Sequence, residues 1–313
     1  MFSRESAIEG LRGCLIPQPT LFNDDLSLNL QGMREHVRFL LGHGLRKGNA
    51  TLLVCGGAGE FPVQTLEERK AIAEAVAEAA AGQIPIILGV QTTSTLQAVE
   101  LARHAESLAV AAIQVSPPFY YPPTDGDVIE WFRAIAEAAP NTGMVVYNTY
   151  WLGYNLSLSL IERLYAEIPQ VVALKWSAPG TFQYQDAFLR FRGRLGIIDN
   201  HIMPVFNQMM GGIGINVHLG VFYPEYALRL WELLEARRWD EAQAEVNRAW
   251  LPYYRLLTED VAPYTSGEAL VDKLGLAWRG LPGGPNRPPT RQLTPELKEK
   301  AWQFFRAIGL PRG

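Results

Sequence analysis

The sequence predicts a (β/α)8 barrel followed by a C-terminal helical extension. Strand-length apolar runs alternate with segments of helical periodicity eight times between Cys14 and Ala236. Regular alternation of this kind marks parallel βαβ units, and eight of them match the barrel count. Past Ala236 the alternation stops, and only helical patterns remain. A doubly wound open sheet is the competing architecture, but no G-x-G-x-x-G opens the first helix.

The elements follow in order. The run GCLIPQPTLFNDD, broken by Pro17 and Pro19, reads as a first strand passing into a loop. From Asn29 to Gly44, Leu30, Met33, Val37, Leu40 and Leu41 fall on one helical face. ATLLVCGGAGEF is a buried strand ending in a glycine turn. TLEERKAIAEAVAEAAAG then has Thr65 as its N-cap, acids in its first turn and Gly82 as its stop. IPIILGV leads to a helix from about Ser94 to Ser107, and AAIQVSPPFYYPP to one from about Asp127 to Ala139. GMVVYNT precedes SLSLIERLYAEI, and VVALKWS precedes a helix from about Phe182 to Phe191. RLGIIDN leads to a short helix around Pro204 to Met210, and GGIGINVH to one from about Glu225 to Glu235. The domain reading is a barrel over 1–236 and a helical extension over 237–313. Three helices are expected in the extension: RWDEAQAEVNRAWLPYYRLL, SGEALVDKLGLAWRG and LTPELKEKAWQFFRAIG.

Bulk properties exclude several classes of function. Lys+Arg number 28 against 32 Asp+Glu, a formal charge of −4 that carries no basic nucleic-acid footprint. Apolar runs stay well short of the ~20 residues that span a bilayer, and MFSRESAIEGLRG has no signal-peptide apolar region. The only cysteines, Cys14 and Cys55, lie in separate strand-like contexts without metal or redox spacing. The expectation is a cytoplasmic protein with no nucleic-acid or membrane partner.

The most informative stretch is Gly143 to Ser177, where one apolar strand ends in Tyr147-Asn148 and the next carries Lys175. VVALKWS is otherwise the pattern of a fully buried strand, a poor environment for an ammonium group. Desolvation disfavours the charged lysine and yields a usable amine nucleophile for Schiff-base chemistry. The bland alternative is a lysine that snorkels to water or pairs with a carboxylate. Active sites of βα-barrels sit at the carboxyl ends of the strands. There the sequence delivers Gly56 to Glu60, Phe119 to Tyr121, Tyr147-Asn148, Lys175, Asp199 to His201, Asn216 and His218. His201 and His218 invite a metal, but their spacing forms no ligand motif.

The run GGAGEFPVQTLEERK, the Tyr-Asn ending strand 5 and the Lys ending strand 6 resemble the dihydrodipicolinate synthase / N-acetylneuraminate lyase family. The resemblance runs from about Gly13 to Leu310, through the tail GLPGGPNRPPTRQLTPE. It implies a class I lyase or aldolase in which Lys175 forms an imine with pyruvate or a related 2-oxo acid, with no cofactor and no metal. Tyr147 would shuttle the proton, and Tyr120 would serve the relay across a subunit contact in a homodimer or homotetramer. Simple aromatic packing is the alternative for Tyr120 and Tyr121.

The glycine turn would bind the substrate carboxylate through its N–H groups. The positions that often carry hydroxyls in the family are Gly57 and Ala58, so only backbone donors remain. Glu60 is expected to bond backbone groups of its own loop. Asn216 would face the lysine and contact substrate, or be satisfied within the barrel mouth.

Where the synthase branch places an Arg for the incoming aldehyde's acid, this chain has Leu152, flanked by Tyr150 and Trp151. A dihydrodipicolinate synthase reaction is therefore not expected, and an apolar or aromatic aldehyde suits these residues. Two other readings compete. One is a 5-dehydro-4-deoxyglucarate dehydratase-like reaction through the same lysine imine, since GGAGEF resembles that branch. The other is a degenerate barrel that only binds a small oxo acid.

Overall fold

The computed structural model describes residues 2–152 and 154–313. Eight parallel strands close into a barrel in sequential order: β1 (Gly13–Pro17), β2 (Ala50–Val54), β3 (Ile86–Gly89), β4 (Ala112–Val115), β5 (Gly143–Tyr147), β6 (Val171–Trp176), β7 (Gly196–Asp199) and β8 (Gly214–Asn216). The expected (β/α)8 architecture is present. Every strand but one residue is buried, as parallel strands covered on both faces require.

The helices are α1 (Arg4–Gly10), α2 (Leu30–Gly42), α3 (Leu66–Ala80), α4 (Thr95–Ser107), α5 (Asp125–Ala138), α6 (Leu158–Glu167), α7 (Thr181–Phe191), α8 (Pro204–Met209) and α9 (Pro224–Glu235). Local chemistry fixes their starts. Asn29, Thr65, Ser94, Thr124 and Ser157 each accept a backbone N–H of the first turn with their side chains. The α5 helix begins two residues before the sequence reading. Thr124 and Asp127 form a reciprocal capping box, so Asp127 is its third residue rather than its first.

Two further features depart from the sequence reading. The leader contains α1, whose Phe2, Ala7 and Ile8 region packs on an inner cluster of Leu11, Leu15, Leu53, Ile87, Val145, Ala173 and Ile198. Arg4 fixes this helix by donating to the Pro169, Tyr165 and Ile168 carbonyls. In the extension, the first expected helix continues to Val261 and alternates α10 (Trp239–Glu245), π-helical Val246–Trp250, α11 (Leu251–Arg255) and π-helical Leu256–Val261. Pro252 has no N–H and its ring crowds the preceding turn, which accounts for a widened helix there. The remaining two are α12 (Leu270–Trp278) and α13 (Pro295–Ala307).

The chain forms two compact units: Met1–Leu15 with Lys47–Leu53 and Ile84–Asn216, and Ile16–Arg46 with Val54–Gln83 and Val217–Gly313.

Candidate active site

In the first unit, β5 and β6 pair in parallel with Val145 beside Ala173 and Tyr147 beside Lys175. Side chains alternate along a strand, so Lys175 shares the face of Ala173, and Ala173 belongs to the inner cluster. The lateral partner of Lys175 on β7, Ile198, belongs to the same cluster, so Lys175 points inward at the strand's carboxyl end. It is 4 % exposed. Its Nζ lies 4.2 Å from the centroid of the Tyr147 ring. The two residues singled out by sequence meet because the strand register makes them lateral neighbours.

Asn148 does something different from its neighbour. Fully buried, it donates through Nδ2 to Asn155 Oδ1 and the Ser177 carbonyl, each at 2.8 Å, and accepts the Leu156 N–H at 3.0 Å. These bonds pin both ends of the loop that carries Tyr150 and Trp151. The Trp151 ring packs edge-on at 5.9 Å from Tyr147 and 5.0 Å from Tyr150. Leu152 lines a cavity of about 230 Å³ with Pro118, Phe119, Tyr120, Tyr121 and Tyr154. Tyr154 donates to Asp125 at 2.5 Å, and burial first, then that carboxylate, push its phenol up to about 12. Tyr120 is 77 % exposed and stacks edge-on with Tyr121. No hydrogen bond joins Tyr120 to Tyr147 or Lys175 among the described residues.

At the ends of β6 to β8 an amide chain forms. Asn216 Nδ2 donates to Asn200 Oδ1 at 2.8 Å, and Asn200 Nδ2 donates to Ser177 Oγ at 3.2 Å. Asn216 Oδ1 is buried without a hydrogen-bond partner among the described residues. Asp199 has a local duty: it accepts the Tyr184 hydroxyl at 2.7 Å and the His201 and Met203 N–H groups at 2.9 Å. Burial raises its carboxyl above the usual range despite those bonds. One inward residue escaped the sequence reading. Gln114 on β4 lies beside Val145, is fully buried, and has no partner for either amide atom among the described residues. A polar residue in the apolar run AAIQV was the available signal.

The second unit contains the glycine turn. Cys55 and Glu60 both take left-handed backbone conformations, at φ 54° and 53°. A Cβ on Gly59 would come within 2.9 Å of the Cys55 Cα, so the turn admits no side chain there. Thr20 Oγ1 donates to the Gly59 carbonyl at 2.8 Å, and the Glu60 N–H donates to the Gly57 carbonyl at 2.9 Å. The expectation for Glu60 needs correcting. Its carboxylate accepts Lys273 Nζ and the Arg287 N–H, not its own loop. Arg287 also chelates Glu68 and donates to the Leu26 and Val63 carbonyls. Lys273 is 3 % exposed, and desolvation outweighs Glu60 in lowering its affinity for a proton. The partners lie more than 200 residues away in sequence, which is why local reading could not supply them. His218 is likewise engaged, with Nδ1 2.9 Å from Asp272, whose other oxygen accepts the Tyr253 hydroxyl.

A sequence profile of the Dihydrodipicolinate synthetase family matches residues 11–306. The chain belongs to that family. It is 30 % identical over 93 % of its length to a 4-hydroxy-tetrahydrodipicolinate synthase of Moorella thermoacetica, covering 96 % of that protein. An N-acetylneuraminate lyase of Mediterraneibacter gnavus is 34 % identical over 67 % of each chain. Among solved structures, the sialic acid aldolase of Ruminococcus gnavus superposes with a TM-score of 0.85 at 25 % identity, covering 96 % of this chain and 97 % of that one. The protein is thus an enzyme, a lyase of the dihydrodipicolinate synthase/N-acetylneuraminate lyase type. Among the described residues, no helix is long and apolar enough to cross a membrane.

Proposed function

We propose that the protein is a Schiff-base-forming lyase whose Lys175 condenses with pyruvate or a related 2-oxo acid. The observation that carries this reading is the inward, buried Lys175 with its Nζ 4.2 Å from the Tyr147 ring. An amine held out of water attacks a ketone as the free base, and the carbinolamine must then lose water. The Tyr147 phenol is assigned the proton transfers of that sequence. The backbone N–H groups of Gly57 and Ala58 are assigned the substrate carboxylate, and Asn216, with its spare buried Oδ1, a polar contact to substrate. Tyr120 is assigned the relay from a neighbouring copy, a role its exposure permits. The lysine imine supplies the electron sink, so the proposed reaction calls on no cofactor.

The cavity lined by Leu152, Phe119, Tyr120 and Tyr121 favours an apolar or aromatic aldehyde as the second substrate. Leu152 offers no cation to an acid on that partner, which argues against the dihydrodipicolinate synthase reaction. It equally disfavours dehydration of a dicarboxylic sugar acid.

The test is cyanoborohydride trapping with pyruvate, read by intact mass and peptide mapping. A single reduced adduct on Lys175, absent from Lys175→Ala, is expected. Folded protein that yields no adduct with any 2-oxo acid would refute the mechanism. With pyruvate adduct in hand, benzaldehyde-type acceptors should turn over faster than acidic aldehydes.

A further inference from the structure

The glycine turn has a neighbour that the sequence did not reveal. A Cβ built on Gly57 would lie 2.5 Å from Glu268 Oε2 and 2.6 Å from Oε1. The Glu268 carboxylate thus fills the space that a side chain at position 57 would take. Its placement is built into the extension. Gly267 has φ +131°, and a Cβ there would meet Thr290 at 2.9 Å and Leu270 at 3.0 Å, so the chain before Glu268 is closely confined. Immediately after it, α12 is held by Asp272 to His218 and Tyr253, and by Lys273 to Glu60. Glu268 itself makes no hydrogen bond or ion pair among the described residues, and it is solvent-exposed.

A carboxylate beside a row of N–H groups has two consequences. It repels any anion bound at those groups, since like charges a few ångströms apart near a surface interact appreciably. It also offers a strong acceptor to a hydrogen-bond donor carried by the same ligand, and charged acceptors form the stronger hydrogen bonds. A plain 2-oxo acid meets only the first effect. An oxo acid with a hydroxyl on the carbon beside its carbonyl meets both, because that hydroxyl oxygen is only three bonds from the carboxyl carbon.

We propose that Glu268 is a specificity-determining residue of the glycine turn, selecting 2-oxo acids that carry a hydroxyl beside the carbonyl over unsubstituted ones. This rests on the reading that the turn holds the substrate carboxylate while Lys175 forms the imine. Gly57 is the matching half of the device. Its backbone is not in the left-handed region, and the Glu268 carboxylate is the nearest group that a side chain there would meet.

Half-saturating concentrations for cyanoborohydride trapping on Lys175 test the assignment, with pyruvate and hydroxypyruvate as probes. Wild-type protein should trap hydroxypyruvate at about tenfold lower concentration. Glu268→Ala should move the two probes in opposite directions. Hydroxypyruvate weakens about tenfold as its acceptor is lost, and pyruvate tightens several-fold as the repulsion is removed. A purely structural role would shift both probes the same way. Gly57→Ser should weaken trapping of both probes, and Glu268→Ala in that background should restore trapping of pyruvate by opening the space. Equal half-saturation for the two probes in wild type, or parallel shifts in Glu268→Ala, would overturn the assignment while leaving the Lys175 chemistry standing. Absence of any adduct on wild-type Lys175 would overturn both.

Discussion

Lys175 and Tyr147 illustrate how one residue's environment sets its chemistry. Replacing Tyr147 by Phe keeps the ring beside Nζ and removes only the hydroxyl. Imine formation should therefore slow by roughly 10²- to 10⁴-fold, the range of a lost general acid–base group, with little change in stability. Rapid-mix trapping kinetics alongside thermal melts would separate the two effects. His36 gives a residue-scale prediction about stability. It is buried, with Nε2 2.8 Å from the Val221 carbonyl, and desolvation lowers its pKa from 6.5 to about 4. The folded state therefore binds this proton less readily than the unfolded chain does. The stability contributed by neutral His36 is complete above about pH 6.5 and falls as pH drops toward 4. The loss amounts to about 3 kcal/mol. Urea melts at pH 7 and pH 4.5 should show that slope, and His36→Gln should flatten it.

At the scale of elements, the glycine turn after β2 is shaped by the extension more than by its own sequence. Lys273, on α12, places a buried ammonium against Glu60, and Arg287 adds a backbone donor and a bidentate grip on Glu68. Removing one member of a buried ion pair strands the other charge, at a cost of about 3–5 kcal/mol. Lys273→Met should lower the urea midpoint accordingly, and Glu60→Leu in that background should recover much of the loss. If Lys273→Met melts like wild type, the pair is not holding the turn. The Thr65 cap of α3 was legible because a capping box needs only four consecutive residues. The same limit explains why the partners of Glu60 were not.

For the molecule as a whole, closure of the barrel depends on a seam where β1 meets β8, with Gly13 opposite Gly214. A Cβ on Gly13, at φ +123°, would fall 2.2 Å from the Asn49 carbonyl carbon, and one on Gly214 would fall 2.8 Å from the Gly13 oxygen. Gly214→Ala should therefore cost at least about 2 kcal/mol in chemical denaturation, as overpacking a closed strand pair does. A change within 0.5 kcal/mol would mean the seam is looser than its spacing indicates.

The sequence by itself determined the alternation of eight strands with helices, hence the barrel, and the lysine misplaced in an apolar strand. Both are periodic or compositional signals confined to short windows. Tertiary structure alone decided that Tyr147 and Lys175 lie side by side, because strand register depends on packing across the sheet. It likewise decided that Glu60 serves the extension, and that Glu268 stands where Gly57 has no side chain. Those relations join residues some two hundred positions apart, and a contact at that separation exists only once the chain has folded.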